Sequence, residues 1–294
     1  MTYVGQEIES QPQCWQHAVE LAAPGIEALP RAGERLAVVG CGTSLFMAQA
    51  FAVLREQAGL GETDAFAASE FPSRRSYDRV LALTRSGTTT EVLELLARLP
   101  SAVRTVAITA DGTAPVRKVA DETVVLEFAD ERSVVQTRFA TTALVLLRAH
   151  LGEDLIGTIA GARRTLREDL PVGADTGGQF TFLGRGWTVG LAHEAALKLR
   201  EASLSWSESY PAMEYRHGPV SVTDERSVVW TLGEPPAGLA EQVQATGALW
   251  VATGDDPLAE LVRVQRLAVA LAARTGIDPD RPRHLSRSVI LDSV

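Results

Sequence analysis

The sequence is poor in the residues that build metal centres and covalent frameworks. Its 294 residues include two cysteines, Cys14 and Cys41, and five histidines, at positions 17, 150, 193, 217 and 284. The cysteines stand in unlike contexts, so neither a disulfide framework nor a thiolate metal cluster is expected. No HxxxH or Cys/His spacing occurs, so no metal site is expected. No stretch reaches ~18 uninterrupted apolar residues, which excludes a membrane-spanning helix. The opening MTYVGQEIESQPQCW lacks the basic-then-apolar pattern of a secretory signal. Basic residues are also in deficit, 28 against 37 acidic ones, for a net charge of −9. That balance argues against nucleic acid or an acidic membrane as a general partner. A few aimed donors can still hold a small anion. A cytoplasmic location is expected.

What is present is a globular composition, 46% hydrophobic and 22% charged. The length suits two domains of roughly 100–150 residues each. Residues 5–30 read as a helical arm, broken at Pro24-Gly25. Leu36–Val39 is a short apolar run of the kind buried on both faces of a sheet. Gly40, Gly42, Thr43 and Ser44 follow it, and Leu45–Gln57 reads as a helix. The same order returns in Arg79–Leu83 (strand), Thr84–Thr90 (polar turn) and Glu91–Arg98 (helix). Thr105–Thr109 and Thr123–Phe128 read as further strands, and a helix is expected from about Val134 to His150. Short apolar strands alternating with helices imply a parallel sheet covered on both faces.

The Pro- and Gly-bearing stretch 171–179 marks a candidate boundary, after which the pattern restarts. Phe180–Leu183 reads as a strand, Gly184-Arg185-Gly186 as a turn and Val189–Leu204 as a helix. With a shift of 144, Gly40 falls on Gly184, Gly42 on Gly186, Ala48 on Ala192 and Ala52 on Ala196. Ser227–Leu232 and Leu249–Thr253 then stand in for the later strands. The chain therefore reads as two related α/β halves in tandem.

Four stretches carry residues suited to chemistry. Gly40–Ser44 joins a buried strand to a helix, where backbone N–H groups and the helix N-terminus favour an anion. It also fits a plain capped turn. Thr84–Thr90 (TRSGTTT) packs five hydroxyls and one guanidinium into seven residues. It can offer several donors to one phosphate, yet it lacks the lysine of a P-loop. Two such loops at the carboxyl ends of strands in one sheet lie where open α/β sheets bind ligands. Glu194, Lys198 and Glu201 are spaced i, i+4, i+7, on one helix face. They fit either a surface ion pair or a carboxylate pair tuned by a lysine. His217 precedes Gly218-Pro219, which forces an irregular backbone around a side chain that titrates near neutrality. A structural loop histidine fits there as well.

In this order the pieces resemble the tandem sugar isomerase (SIS) domain family, which includes the isomerase half of glucosamine-6-phosphate synthase and free-standing amino-sugar-phosphate deaminases. The resemblance rests on Glu7–Pro12, Cys41–Ser44, Ala68–Phe71, Ser86-Gly87 with Thr89, Glu131–Val134 with Thr137 and Phe139, Ala195–Glu201, His217–Pro219 and Pro282–Val289. It implies two tandem domains, 1–168 and 169–294. Each would be a parallel sheet between helix layers, three-layer and flavodoxin-like, with a C-terminal tail closing the site. It implies a homodimer with shared sites, a phosphorylated sugar or amino sugar as substrate, and neither cofactor nor metal.

Residue by residue, the resemblance assigns Cys41, Gly42, Thr43, Ser44, Thr84, Arg85, Ser86 and Thr89 to the phosphate and neighbouring hydroxyls. Glu201 becomes the base that moves a proton between C1 and C2. His217 assists ring opening from the partner chain, and Glu194 and Lys198 position and tune Glu201. Val134, Gln136, Ser286 and Arg287 lie against the sugar. Thr84 and Arg85 replace the usual Ser and Gln, and the stretch 137–139 is one residue short of the synthase pattern. Arg287 stands where the synthase carries an imine-forming lysine, and a permanently protonated guanidinium is a poor imine former. Position 2 is Thr rather than a catalytic Cys, so glutamine-dependent synthesis is not expected. The expected activity is that of an amino-sugar-phosphate isomerase/deaminase. Cleavage of fructosamine-type sugar–amine phosphates is the alternative enzyme. A non-catalytic sugar-phosphate sensor is the third reading, although it would need neither Glu201 nor His217.

Overall fold

The expected arm forms two helices, α1 (Tyr3–Glu9) and α2 (Gln11–Ala22), the second stopping just before Pro24-Gly25. The structure is a computed structural model that describes residues 2–291 apart from 174, 175 and 177. The stretch 171–179 therefore lies partly outside the described residues. The chain divides into two compact units, each discontinuous in sequence. The five-stranded unit comprises Gln13–Leu155 and Leu285–Val294. The four-stranded unit comprises Met1–Pro12 and Ile156–His284, so the boundary expected at 168/169 falls inside it.

In the five-stranded unit the apolar runs become β1 (Leu36–Gly40), β3 (Arg79–Leu83) and β4 (Arg104–Thr109), with β2 (Thr63–Ala67) and β5 (Glu122–Val125) at the edges. All pair in parallel in the order β2-β1-β3-β4-β5. Successive side chains of β1 point to opposite faces, and Leu36, Ala37, Val38 and Val39 are all fully buried, so both faces are covered. The helices here are α3 (Thr43–Gln57), α4 (Thr90–Arg98) and α5 (Arg138–His150). Val92, Leu95 and Leu96 of α4 pack on Ala37, Val39, Val80, Ala82 and Ala107. Helix α3 packs on β1, β2 and α5. Helix α5 starts four residues later than the sequence suggested. The Glu131 carboxylate accepts hydrogen bonds from the backbone N–H groups of Thr137 (2.6 Å) and Arg138 (2.7 Å), and so fixes 131–137 as a loop that caps the helix. The last expected strand is also shorter, because Glu127–Ala129 turns as a 3-10 helix.

In the four-stranded unit β6 (Gln179–Gly184), β7 (Ser207–Pro211), β8 (Ser227–Leu232) and β9 (Leu249–Val251) pair in parallel in the order β7-β6-β8-β9. Its helices are α6 (Ile156–Thr165), α7 (Thr188–Ser203), α8 (Leu239–Gln244) and α9 (Pro257–Thr275). Helix α9 packs against α7, α6 and α1. Leu239 and Val243 of α8 cover Leu183 and Val229 with Tyr215. The glycine pairs matched in the sequence match in geometry. A Cβ on Gly40 would lie 2.7 Å from the Ser44 carbonyl carbon, and one on Gly184 would lie 2.3 Å from the Thr188 oxygen. In both units only glycine lets the helix start this close to its strand. Gly42 and Gly186 then turn with φ of 53° and 54°.

Candidate active site

Strand β1 has its neighbours on both sides, so its carboxyl end is the switch point of the five-stranded sheet. Two loops open there, 40–44 after β1 and 84–89 after β3. Thr43 and Ser44 are buried in the first turn of α3, and the Ser44 hydroxyl donates to Gln136 Oε1 at 3.3 Å. Cys41 is half-buried, with a free thiol. Burial, and then the Glu91 carboxylate, push its thiol up to about 11.

The second loop is a cup of hydroxyls. Gly87 has φ 60°, and a Cβ there would meet Ala114 at 2.5 Å, which fixes a glycine at the base of the turn. Ser86 Oγ accepts from Thr88 Oγ1 at 2.9 Å and from the Thr88 N–H at 3.2 Å. Thr89 opens α4 without capping it through its own side chain. Thr84 is buried, and its hydroxyl has no partner among the described residues. The cup belongs to this sheet alone. The corresponding loop after β8, 233–238, reads GEPPAG and carries no hydroxyl.

Arg85 is placed otherwise than a phosphate ligand would be. Its buried guanidinium donates to Ser133 O (3.2 Å), Val134 O (3.0 Å) and Arg287 O (3.1 Å), and pairs with Glu131 at 3.4 Å. Only its Nε is without a partner among the described residues. It clamps the 131–134 loop to the tail, so any charge-assisted bond to an anion would have to come from Nε. Arg287 is likewise occupied, donating to Glu131 O and pairing with Asp130. The Ser286 hydroxyl turns back to Ser288 O at 2.7 Å.

In the four-stranded unit, α7 puts Glu194, Lys198 and Glu201 in one row, as their spacing required. Lys198 and Glu194 are each 1% exposed at the side chain. Lys198 Nζ lies 3.4 Å from Glu194 Oε1 and 2.5 Å from Glu201 Oε2. Glu201 is the member that reaches solvent, at 19%. Its Oε1 makes no hydrogen bond among the described residues. The row carries one net negative charge, and one carboxylate oxygen is open to a reactant. His217 sits exposed in the 3-10 turn Glu214–His217, and Gly218 beyond it has φ 149°. No hydrogen bond or ion pair joins His217 to that row among the described residues.

Sequence reasoning placed Glu131, Thr88 and Ser288 in the stretches it singled out, 131–134, 84–90 and 282–289, but gave none of them a role of its own. Glu131 had a further signal, an acidic residue shortly ahead of a helix. Among the described residues no group of three or more His, Cys, Asp or Glu could hold a metal ion. No helix there is long and apolar enough to cross a membrane.

No protein-family model matches the chain. It is 27% identical over 318 residues to the isomerizing glutamine–fructose-6-phosphate aminotransferase of Sulfurisphaera tokodaii, covering 93% of this chain and 53% of that protein. The chain thus spans about half the length of the curated relatives it matches, and over that half it is homologous to them. Among solved structures, glucosamine-6-phosphate deaminase from Thermotoga maritima superposes with a TM-score of 0.81 at 25% identity, over 99% of this chain and 100% of that one. The C-terminal domain of glucosamine–fructose-6-phosphate aminotransferase from Francisella tularensis gives 0.76 at 20% identity, over 96% and 98%, a likeness of fold.

Proposed function

We propose that the chain is an amino-sugar-phosphate isomerase/deaminase built from two tandem sugar isomerase domains. It opens the ring of a hexose phosphate that bears an amino group at C2 and moves a proton from C2 to C1, and water then adds to the resulting C2 imine, so that ammonia leaves and a ketose phosphate remains. The observation that carries this is the row on α7. A buried ammonium is hydrogen-bonded to one oxygen of Glu201, and the second oxygen is left open. That arrangement suits a base that must take a proton from carbon and return it to the neighbouring carbon. Lys198 orients the carboxylate, and the buried Glu194 anchors Lys198 from its other side. The homology to aminotransferases named for fructose 6-phosphate supports a phosphorylated hexose, as does the fold shared with a glucosamine-6-phosphate deaminase.

Ser86 and Thr89, with Thr43 and Ser44, hold the phosphate through hydroxyls and helix-terminal N–H groups. Among the described residues His217 makes no hydrogen bond or ion pair, and it serves ring opening in a second copy of the chain, which makes the working form a homodimer. Because Arg287 is tied to Asp130 and Glu131, the reaction proceeds by proton transfer, with no imine at that position. The test is a panel of glucosamine 6-phosphate, fructose 6-phosphate with ammonia, and fructosamine-type phosphates, assayed for ammonia and ketose phosphate. Ammonia and fructose 6-phosphate from glucosamine 6-phosphate are expected. Binding of the whole panel without turnover would leave only a sensor.

A further inference from the structure

A cleft of about 670 Å³ opens in the five-stranded unit between the segment 69–77 and the carboxyl end of α4. Its lining includes Arg74, Arg75 and Arg98 and, among the described residues, no carboxylate. The chain as a whole carries 37 acidic residues against 28 basic ones. An acid-free concavity with three guanidiniums therefore runs against its composition. Residues 74–77 lead into β3 and 99–103 into β4. The cleft thus extends to the amino end of the sheet, away from the loops 40–44 and 84–89 at its carboxyl end.

Two of the three cations lack a counter-charge. Arg74 and Arg98 make no side-chain hydrogen bond or ion pair among the described residues. Arg75 is held by Asp64 at 3.2 Å and lies over the Phe66 ring, 5.7 Å from its centroid. Asp64 also accepts from the Tyr77 hydroxyl at 2.6 Å, so this carboxylate is already engaged. The exposed Ser73 and Ser76 hydroxyls are unbonded among the described residues as well. The floor is apolar and fixed by ring contacts. Phe71 stands edge-on to Phe66 at 5.8 Å and lies 5.7 Å from Tyr77. Phe71, Leu99 and Val103 are half-buried on the hydrophobic cluster beneath.

We propose that this cleft is a second ligand site, for a phosphate monoester carried on a flat, apolar ring. It does not depend on the activity proposed above. A cavity of this size is typical of a small-molecule site. A cleft lined by one sign of charge concentrates its counter-ion, and arginine meets phosphate oxygens with two parallel N–H groups. The two unpaired guanidiniums match the charge of one monoester, about −1.5 to −2 at pH 7. Ser73 and Ser76 add neutral donors for the same oxygens. Phe71 and Leu99 keep apolar surface open to a ring, and the hydroxyls of a sugar would lose their water there without gaining partners. The ligand is therefore chemically distinct from a phosphosugar.

The test titrates 1-naphthyl phosphate, 1-naphthol and inorganic phosphate into the full chain by calorimetry. Every protein carries Ser86→Ala, which weakens any binding at the hydroxyl cup. The parent is expected to bind 1-naphthyl phosphate at least about tenfold tighter than either half of it alone. Adding Arg74→Gln and Arg98→Gln is expected to weaken that binding at least about tenfold. The melting curve should stay unchanged, because both side chains are exposed and unpaired. The parent's affinity should also fall as salt rises. Parental affinity in the Arg74→Gln/Arg98→Gln protein, or no binding by the parent, overturns the site. Inorganic phosphate binding as tightly as 1-naphthyl phosphate overturns the ring-bearing class of ligand.

Discussion

Replacing Lys198 by methionine removes the one cation in the α7 row and keeps the length of the side chain. Wild type has two carboxylates around one buried ammonium. Lys198→Met leaves Glu194, 1% exposed, and Glu201, 19% exposed, without the ammonium that pairs with both. Removing one partner of a buried pair costs about 3–5 kcal/mol, and the estimate belongs at its upper end because Glu194 has almost no access to water. The sign with pH follows. In the variant the buried carboxyls hold protons more tightly folded than unfolded. The lost stability is therefore largely restored at low pH and is lost again as pH rises through the raised folded value. Urea unfolding should show a loss of about 3–5 kcal/mol at pH 8 and a clearly smaller one at pH 5. Tryptophan fluorescence is a suitable probe, since Trp187, Trp206, Trp230 and Trp250 all lie in the four-stranded unit and only Trp15 does not. Adding Glu194→Gln should recover part of the loss, because the uncompensated charge goes with it. A loss below about 1 kcal/mol, or one equal at both pH values, would refute the argument that Lys198 balances buried charge.

Three further outcomes are expected. Ser86→Ala and Thr89→Ala should each raise KM for the phosphorylated substrate by roughly 10–100-fold, since a hydrogen bond to a charged group contributes about 1.5–3 kcal/mol; steady-state kinetics checks this. Mixing an inactive Glu201→Gln chain with an inactive His217→Ala chain should restore activity once subunits exchange, and no recovery despite proven exchange counts against His217 acting across copies. Burial, and then the Arg200 charge, hold the His193 imidazole below its ordinary 6.5. A depressed base contributes stability above the unfolded value that is lost as pH falls through the folded one. His193→Gln should therefore flatten the drop in Tm between pH 7 and pH 5, as thermal melts across that range would show.

The central strands were legible because burial on both faces writes a continuous apolar run. LAVVG, RVLAL and SVVWTL became β1, β3 and β8 with little change of limits. The edge strands β2 (TDAFA) and β7 (SESYP) were not, because each pairs on one side only and is mostly half-buried or exposed, so its sequence carries no such run. Helix α9 could have been found, with Asp256 at its N-cap, Pro257 in its first turn and Gly276 closing it in the left-handed region. In the site, the i, i+4, i+7 spacing on α7 was enough to place three side chains in a row, because a helix is rigid over two turns. The direction of Arg85 was not legible. Besides Glu131, its partners are backbone carbonyls at 133, 134 and 287, and backbone oxygens leave no mark in a sequence.

Glu201 as the base that moves the C1/C2 proton is the claim on which the proposed function stands, and heavy water tests it most directly. The wild-type enzyme, incubated in D2O with glucosamine 6-phosphate and with fructose 6-phosphate, should exchange the C2 hydrogen of the first and a C1 hydrogen of the second, followed by NMR. Glu201→Gln keeps the shape and removes the basicity, so this exchange should disappear while kcat falls ~10²-fold or more with KM little changed. Exchange by Glu201→Gln at the wild-type rate would contradict the account and move the base to His217.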